Sequence, residues 1–254
     1  SWYEIQNIVG SGWEATGSNI TCRGCNFAGA QVDWGSGATN VSWVGGSLRN
    51  FSCGAGCDHG MGVFTLGSNL LIDGVTFDNI RGIGAAQGQH FEVIRVDGNI
   101  NGLTIRKSTF TNNLTNTSTI FFSTWNGYKP KNITIENSFF GNSGDAYFHF
   151  NQNLQNQGSC ENWTFRYNTF TGPQGLLAES GMCSGYSNVV WLGNLAPRGS
   201  GCVGSAFRSN VWYGSSGAAC GSADKVVTSS GLGGANGFYL TAGSLAIDAG
   251  GSGA

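Results

Sequence analysis

The chain has few charged residues and few prolines. Of its 254 residues, 12 are Lys or Arg, 14 are Asp or Glu and three are Pro, whereas 43 are Gly. Because Gly is a poor helix former and the good surface helix formers are scarce, this composition argues against a helical protein. A formal net charge of −2, with scattered basic residues, offers no electrostatic surface for nucleic acid or an anionic membrane. No apolar run approaches the roughly 20 residues that cross a bilayer.

The cysteine content predicts an oxidising compartment. The chain has eight cysteines, an even number, although it is long enough to bury a large core without covalent help. It begins at Ser1 without an initiator Met or an apolar leader, which fits a mature exported product. We therefore expect an extracellular protein. Its hydrophobic content of 40% indicates that it is folded rather than disordered.

The cysteines fall into two clusters near the ends of the chain, Cys22, Cys25, Cys53 and Cys57 in the first and Cys160, Cys183, Cys202 and Cys220 in the second. Four thiolates at the spacing of the first cluster could close a tetrahedral zinc site. In an exported protein disulfides are favoured. We predict disulfides within each cluster, such as Cys160–Cys183 and Cys202–Cys220, and keep zinc as the alternative.

One phrase recurs along the chain, an Asn or Gly followed by alternating apolar and polar residues. Its copies start at residues 19, 40, 69, 102, 132, 162 and 188, which are 21 to 33 residues apart and fit one turn of a solenoid each. Apolar residues at every second position, such as Ile105 in one copy and Ile135 in the next, predict short strands with one inward face. If the copies stack, Ile105 and Ile135 are neighbours.

A second strand is predicted in the middle of each repeat, over residues 61–66, 91–96, 119–123, 146–150 and 176–180. Short strands joined by Gly, Asn and Ser corners describe a coil of parallel sheets. The Asn that starts each repeat is expected at a left-handed corner, where its side chain can form ladders between turns. The sequence thus predicts one all-β parallel domain over 1–254, with coils from about residue 19 and an irregular C-terminal cap over 221–254.

The phrases NGLTIRKSTF, NITIENSFF and NWTFRYNTF, with the closing GSLAIDAG, resemble secreted bacterial right-handed parallel β-helix repeat proteins of the pectate-lyase-like superfamily. The resemblance covers about residues 19–250 and implies a right-handed parallel β-helix of about seven to eight coils. Leu245 stands where that family usually has Pro. Members of the family include lyases, hydrolases, epimerases and adhesins, so the resemblance specifies architecture more than activity.

The candidate site is expected on the outer face of the second strands. If Ile94, Val96, Phe148 and Phe150 point inward, strand alternation turns their odd-numbered neighbours outward. Val93 and Leu177 are then outward too. The candidate catalytic residues on this face are Arg95, Tyr147, His149 and Glu179. The candidate substrate-binding residues beside it are His90, Glu92, Trp125 and Tyr128.

These residue types suit β-elimination on a uronic-acid polymer. Arg95 would neutralise the carboxylate and so acidify the C5 proton, and His149 or Tyr147 would remove that proton. A glycoside hydrolase would need two carboxylates about 5–10 Å apart, and Glu179 has no evident partner. We therefore predict a polysaccharide lyase, with a hydrolase as the second enzymatic possibility.

Two further predictions concern ligands and an alternative function. Calcium could bind oxygens of Asp73, Asp78, Asp97 and Asp145 at coil corners, although no cofactor or metal site is predicted outright. The alternative is a non-catalytic surface or matrix protein that binds glycans or assembles with copies of itself. The expected partner is a polysaccharide in either case, and the sequence leaves the oligomeric state open.

Overall fold

The structure is a computed structural model that describes residues 1–53, 60–82, 91–123, 129–141, 146–150, 159–172, 175–177, 185–197, 206–214, 219–221, 223–233 and 239–240. Within these ranges the chain forms strands and their connections and contains no helix. The described residues accordingly include no helical segment with the length and apolar character of a membrane span.

The strands are, in chain order, β1 (Tyr3–Gln6), β2 (Val9–Gly10), β3 (Trp13–Ala15), β4 (Ser18–Ala28), β5 (Val32–Trp34), β6 (Thr39–Arg49), β7 (Ser52–Cys53), β8 (Gly60–Thr65), β9 (Ser68–Asp73), β10 (Thr76–Asp78), β11 (Arg81–Gly82), β12 (Phe91–Val96), β13 (Asn101–Arg106), β14 (Thr109–Thr111), β15 (Ser118–Phe122), β16 (Lys131–Glu136), β17 (Phe139–Phe140), β18 (Ala146–Phe150), β19 (Ser159–Arg166), β20 (Thr169–Phe170), β21 (Gly175–Leu177), β22 (Gly185–Leu192), β23 (Leu195–Pro197), β24 (Ala206–Arg208), β25 (Val211–Tyr213), β26 (Lys225–Val227), β27 (Leu232–Gly233) and β28 (Tyr239–Leu240).

The first sheet has 17 strands and is built from the recurrent phrases. Each phrase pairs in parallel with the next, so that β9, β13, β16, β19 and β22 are successive neighbours. Ile105 lies beside Ile72 on one side and beside Ile135 on the other. The predicted stacking of Ile105 on Ile135 is therefore confirmed, and residues about thirty positions apart in sequence form adjacent rungs.

The second sheet contains the mid-repeat strands, in the order β21-β18-β15-β12-β8-β5-β3, and all its pairings are parallel. The predicted strands over 91–96 and 146–150 coincide with β12 and β18, and β8 and β15 begin one residue earlier than predicted. The chain is thus all-β with long parallel sheets, as predicted. Beyond residue 221, β26 still pairs in parallel with β25, and β27 and β28 form an antiparallel pair.

Aromatic rings at the end of each phrase form a ladder inside the molecule. Phe77, Phe110, Phe140 and Phe170 lie at equivalent positions of successive rungs and are at most 1% exposed. Their ring centroids are 4.8, 4.6 and 4.7 Å apart and the rings are stacked. This spacing equals the distance between neighbouring strands of a sheet, so the stacking follows directly from the register.

Asparagines occupy the corners, as predicted. Asn19, Asn40, Asn132, Asn162 and Asn188 have φ between 56° and 60°, in the left-handed region that Asn and Gly tolerate best. Their amides form a ladder on the surface: Asn40 donates to Asn19 over 2.9 Å, Asn162 to Asn132 over 2.9 Å and Asn188 to Asn162 over 3.0 Å.

A second polar ladder, which the sequence did not suggest, is buried. Asn168 Oδ1 accepts from the Ser138 amide over 3.0 Å, Asn194 Oδ1 from the Asn168 amide over 3.0 Å, and Asn210 Oδ1 from the Asn194 amide over 2.9 Å. Asp224 ends the series by accepting from Asn210, from Trp212 Nε1 and from the Gly221 amide. A carboxylate suits this end because it can only accept hydrogen bonds.

The prediction of a disulfide within the first cluster is confirmed for Cys22 and Cys25, and the zinc alternative is wrong. Cys22 and Cys25 form a disulfide, so neither thiolate is available to a metal. Both side chains are buried. Cys53, Cys160 and Cys220 are also disulfide-bonded. The predicted Cys160–Cys183 and Cys202–Cys220 pairs each include a residue outside the described ranges, as do pairings of Cys57.

The buried ladder generates a stability prediction. Replacing Asn194 by Ala removes the acceptor of the Asn168 amide and the donor to the Phe165 carbonyl. We expect the free energy of unfolding, measured by urea denaturation, to fall by about 2–3 kcal/mol, because the remaining groups are buried without partners. The matched control is Asn162→Gly at an exposed corner, which should cost at most about 1 kcal/mol because Gly accepts a positive φ. Equal losses in the two variants would contradict a special role for the buried ladder.

Candidate functional site

Six side chains form a column across the second sheet. The register aligns Glu14 with Asp33, Asp33 with Phe64, Phe64 with Arg95, Arg95 with Phe121 and Phe121 with His149. Their strand neighbours Val32, Val63, Ile94, Ile120 and Phe148 belong to the hydrophobic core. Because side chains alternate between the two faces of a strand, the six residues occupy the opposite face, which we name the outer column.

Arg95 is the centre of the outer column. Its Nε donates to both carboxylate oxygens of Asp97 over 3.2 Å, and its Cζ lies 5.3 Å from the centroid of the Phe121 ring. On the next rung the His149 ring is 4.8 Å from the same Phe121 ring. The predicted placement of Arg95 and His149 on one face is therefore correct, with Phe121 between them.

The exposure of this part of the column differs from the expectation. Arg95 is only 6% exposed and Phe121 2%, whereas His149 is half-buried. An ion pair between the guanidinium of Arg95 and a carboxylate is stronger in such shielded surroundings than in water. The outer column is thus accessible at His149, Phe64 and the two acids rather than along its whole length.

Tyr147 does not point outward as predicted. It is 0% exposed and belongs to the core, where its ring packs against Phe140 and Phe170 and its hydroxyl oxygen accepts from the Gly172 amide over 2.5 Å. Burial raises the pKa of Tyr147 to about 12, which disfavours the phenolate that a base would require.

Val93 was also expected outward and is likewise buried in the core. Strand alternation alone does not account for either residue, because other segments pack against this end of the sheet. The Tyr147 ring contacts Phe140 and Phe170, and a Cβ on Gly62 would meet the Val93 carbonyl oxygen, Leu48 and Ile80.

Glu92, another predicted site residue, does not join the outer column. Glu92 is fully buried and shares the strand face of Ile94 rather than that of Arg95. Leu177 was expected on the outward face, but the register pairs it with the core residue Phe148 rather than with Tyr147 or His149. The other members of the predicted site lie outside the described residues: His90, Trp125, Tyr128 and Glu179.

Glu14, Asp33 and Phe64 were missed by the sequence analysis. Glu14 and Asp33 lie in three-residue strands, β3 and β5, which are too short to recognise by alternation. The only available signal was an acid flanked by apolar residues, as in Trp13-Glu14-Ala15 and Val32-Asp33-Trp34. Burial raises the pKa of Asp33, and the neighbouring carboxylate of Glu14 raises it further.

Three of the four acids considered for calcium form ion pairs with arginines. Asp73 accepts from Arg106 over 2.7 Å, Asp97 pairs with Arg95, and Asp78 lies 3.4 Å from Arg49. Asp145 lies outside the described residues. Over the ranges that the structure covers, no three His, Cys, Asp or Glu side chains are grouped so that they could hold a metal ion.

No family model, curated protein or solved structure matches the chain. Arg95 provides a positive group for an anion, His149 a half-exposed group able to accept and release a proton, and Phe64 an apolar ring that can stack on a sugar.

The raised pKa of Asp33 predicts how the free energy of unfolding depends on pH. A carboxyl group whose pKa is higher in the folded state loses stabilisation as the pH rises through that pKa, because the folded protein binds the proton more tightly. We expect Asp33→Asn to increase the free energy of unfolding at pH near 7 and to leave it unchanged well below the pKa of an ordinary carboxyl group. Urea denaturation at both pH values tests this, with the exposed Glu161→Gln as control. A loss of stability in Asp33→Asn near pH 7 would contradict the unfavourable placement of this charge.

Proposed function

We propose that the protein binds a uronic-acid-containing polysaccharide along the outer column and cleaves it by β-elimination. The observation that carries the proposal is the stack of Arg95, Phe121 and His149 on successive rungs, with separations of 5.3 Å from the Arg95 Cζ to the Phe121 ring and 4.8 Å between the Phe121 and His149 rings. The carboxylate carbon and C5 of a uronate are bonded to each other. The group that binds the carboxylate and the base that accepts the C5 proton are therefore needed close together on the same face.

In this mechanism Arg95 binds the carboxylate and stabilises the negative charge that develops on it when C5 loses its proton. His149 accepts that proton as general base. The electron pair of the broken C5–H bond forms the C4–C5 double bond, and the C4–O bond to the next sugar breaks. The departing oxygen must gain a proton, and Glu179 remains the candidate acid for that step.

The architecture is part of the same proposal. We infer that the parallel sheets wind as one right-handed β-helix of about seven to eight coils, because parallel crossovers of this kind are right-handed in nearly all proteins. The seven strands of the second sheet support that number of coils. The disulfides support an extracellular location, where such bonds persist.

A non-catalytic role as a glycan-binding or self-assembling surface protein is the second candidate. Three observations favour it. Arg95 is shielded and already paired with Asp97, and Tyr147 is buried. In addition, Trp2, Tyr3 and Val9 are 71%, 63% and 83% exposed on and beside the edge strands β1 and β2, which each pair only with β4 among the described strands. Exposed apolar side chains at a sheet edge favour association.

The lyase proposal predicts an unsaturated product. When a panel of acidic polysaccharides is supplied, at least one should give a rise in ultraviolet absorbance from the new C4–C5 double bond. His149→Gln should reduce kcat on that polymer by about 100-fold or more, the usual contribution of a positioned base, and should alter the pH profile. Because His149 is half-buried and outside the core cluster, we expect this variant to fold.

Arg208→Gln is the control, because it removes a basic residue from the first sheet without touching the outer column. Full activity in His149→Gln, or no product from any polymer in the panel, would overturn the lyase assignment. Binding without product, together with oligomers in sedimentation experiments, would establish the second candidate in its place.

A further inference from the structure

The charges of the outer column are separated rather than mixed. Glu14 and Asp33 occupy adjacent rungs at one end, Phe64 follows, and Arg95 lies two rungs beyond Asp33. Within the described part of the chain neither Glu14 nor Asp33 forms an ion pair or a side-chain hydrogen bond. Glu14 is exposed and Asp33 half-buried. One end of the column therefore presents uncompensated negative charge.

A polysaccharide that follows the column meets these charges in a fixed order. Rungs of a parallel sheet are about 4.8 Å apart, which is close to the length of one sugar ring in an extended chain. With the reacting uronate over Phe121, between Arg95 and His149, the next sugars toward the N-terminal rungs pass Arg95 and then lie over Phe64, Asp33 and Glu14. In a polymer with a carboxylate on every sugar, a substrate carboxylate would face each of the two acids.

The surroundings of Asp33 make a further anion costly. Asp33 is half-buried, and both burial and the carboxylate of Glu14 raise its pKa, so this position already resists the one negative charge it carries. An additional carboxylate from the substrate would bring a third anion to the same short stretch of the column. Phe64, by contrast, is half-buried without charge and offers its ring to the apolar face of an uncharged sugar.

We propose that Asp33 and Glu14 restrict the substrate to heteropolysaccharides in which the uronate bound by Arg95 is followed, toward these acids, by uncharged or amino-bearing sugars. The two acids then act as specificity-determining residues that exclude homopolymers of uronic acid. This inference rests on the proposed binding of a uronate by Arg95. The two acids select between polymers by repulsion, because discrimination between related ligands commonly requires an unfavourable contact with the wrong one.

The test compares two polymers and three forms of the protein. The polymers are polygalacturonate, with a carboxylate on every sugar, and deacylated gellan, with a single glucuronate in each tetrasaccharide repeat. The proteins are the wild type, the double variant Glu14→Gln with Asp33→Asn, and a control double variant Glu4→Gln with Glu161→Gln. The control removes the same charge from exposed positions of the first sheet. The measurement is the ratio of kcat/KM on gellan to kcat/KM on polygalacturonate.

We expect the wild type to favour gellan and the Glu14→Gln, Asp33→Asn variant to lower the ratio by about tenfold or more, with a smaller change at high salt because exposed charges are then screened. The control should keep the wild-type ratio. An unchanged ratio in the column variant, or an equal change in the control, would overturn the specificity while leaving the lyase intact. Failure of the wild type on both polymers, and on the wider panel, would instead overturn the proposed function and this inference with it.

Discussion

Parallel pairing in register is the constraint on which the rest of this molecule depends. When Ile105 lies beside Ile135 and Ile135 beside Phe165, every other position of the phrase is placed at the same time. Phenylalanines then stack at the ladder spacing, corner asparagines reach one another, and charges two or three repeats apart in sequence become neighbours. A shift of one residue would turn the inward side chains of a rung to the outside, so the apolar alternation and the corners fix the same register independently.

The buried hydrogen-bond ladder makes this register specific. From Ser138 to Asp224, each backbone amide of the series donates to the side-chain oxygen of the next rung. Apolar side chains of similar size could be exchanged between rungs at small cost, but a buried amide needs its acceptor at one place. The ladder therefore distinguishes the correct register from alternatives that would bury as much apolar surface.

The sequence was sufficient to predict the strands and their parallel stacking because both repeat along the chain. Alternation at Leu103 and Ile105, seen once, is weak evidence, but its recurrence about every thirty residues predicts both the strands and their neighbours. The site was less predictable because it depends on features that do not recur. Alternation predicts that Tyr147 is outward, like His149, but Tyr147 is buried in the core, since packing of other segments against this end of the sheet overrides alternation. Asp33 lies in a strand of three residues, which is too short for an alternating pattern to be recognised, and its place in the outer column follows only from its register partners.

Both sheets are paired in parallel register, but charges of opposite sign alternate on the first sheet and are separated on the second. On the outer face of the first sheet, Asp73, Arg106, Glu136 and Arg166 follow one another on successive rungs, and alternation of sign lets Arg106 bind Asp73 over 2.7 Å and Arg166 bind Glu136 over 2.5 Å. Such a column compensates its own charge, and the carboxylates accordingly raise the pKa of Arg106. In the outer column of the second sheet the signs are grouped, with both acids at one end and Arg95 two rungs away. Grouped charges produce an electrostatic field along the surface that attracts or repels a charged polymer. His149 lies on the same sheet face as these grouped charges, and this coincidence is the reason that the proposed site is placed on the second sheet rather than on the first.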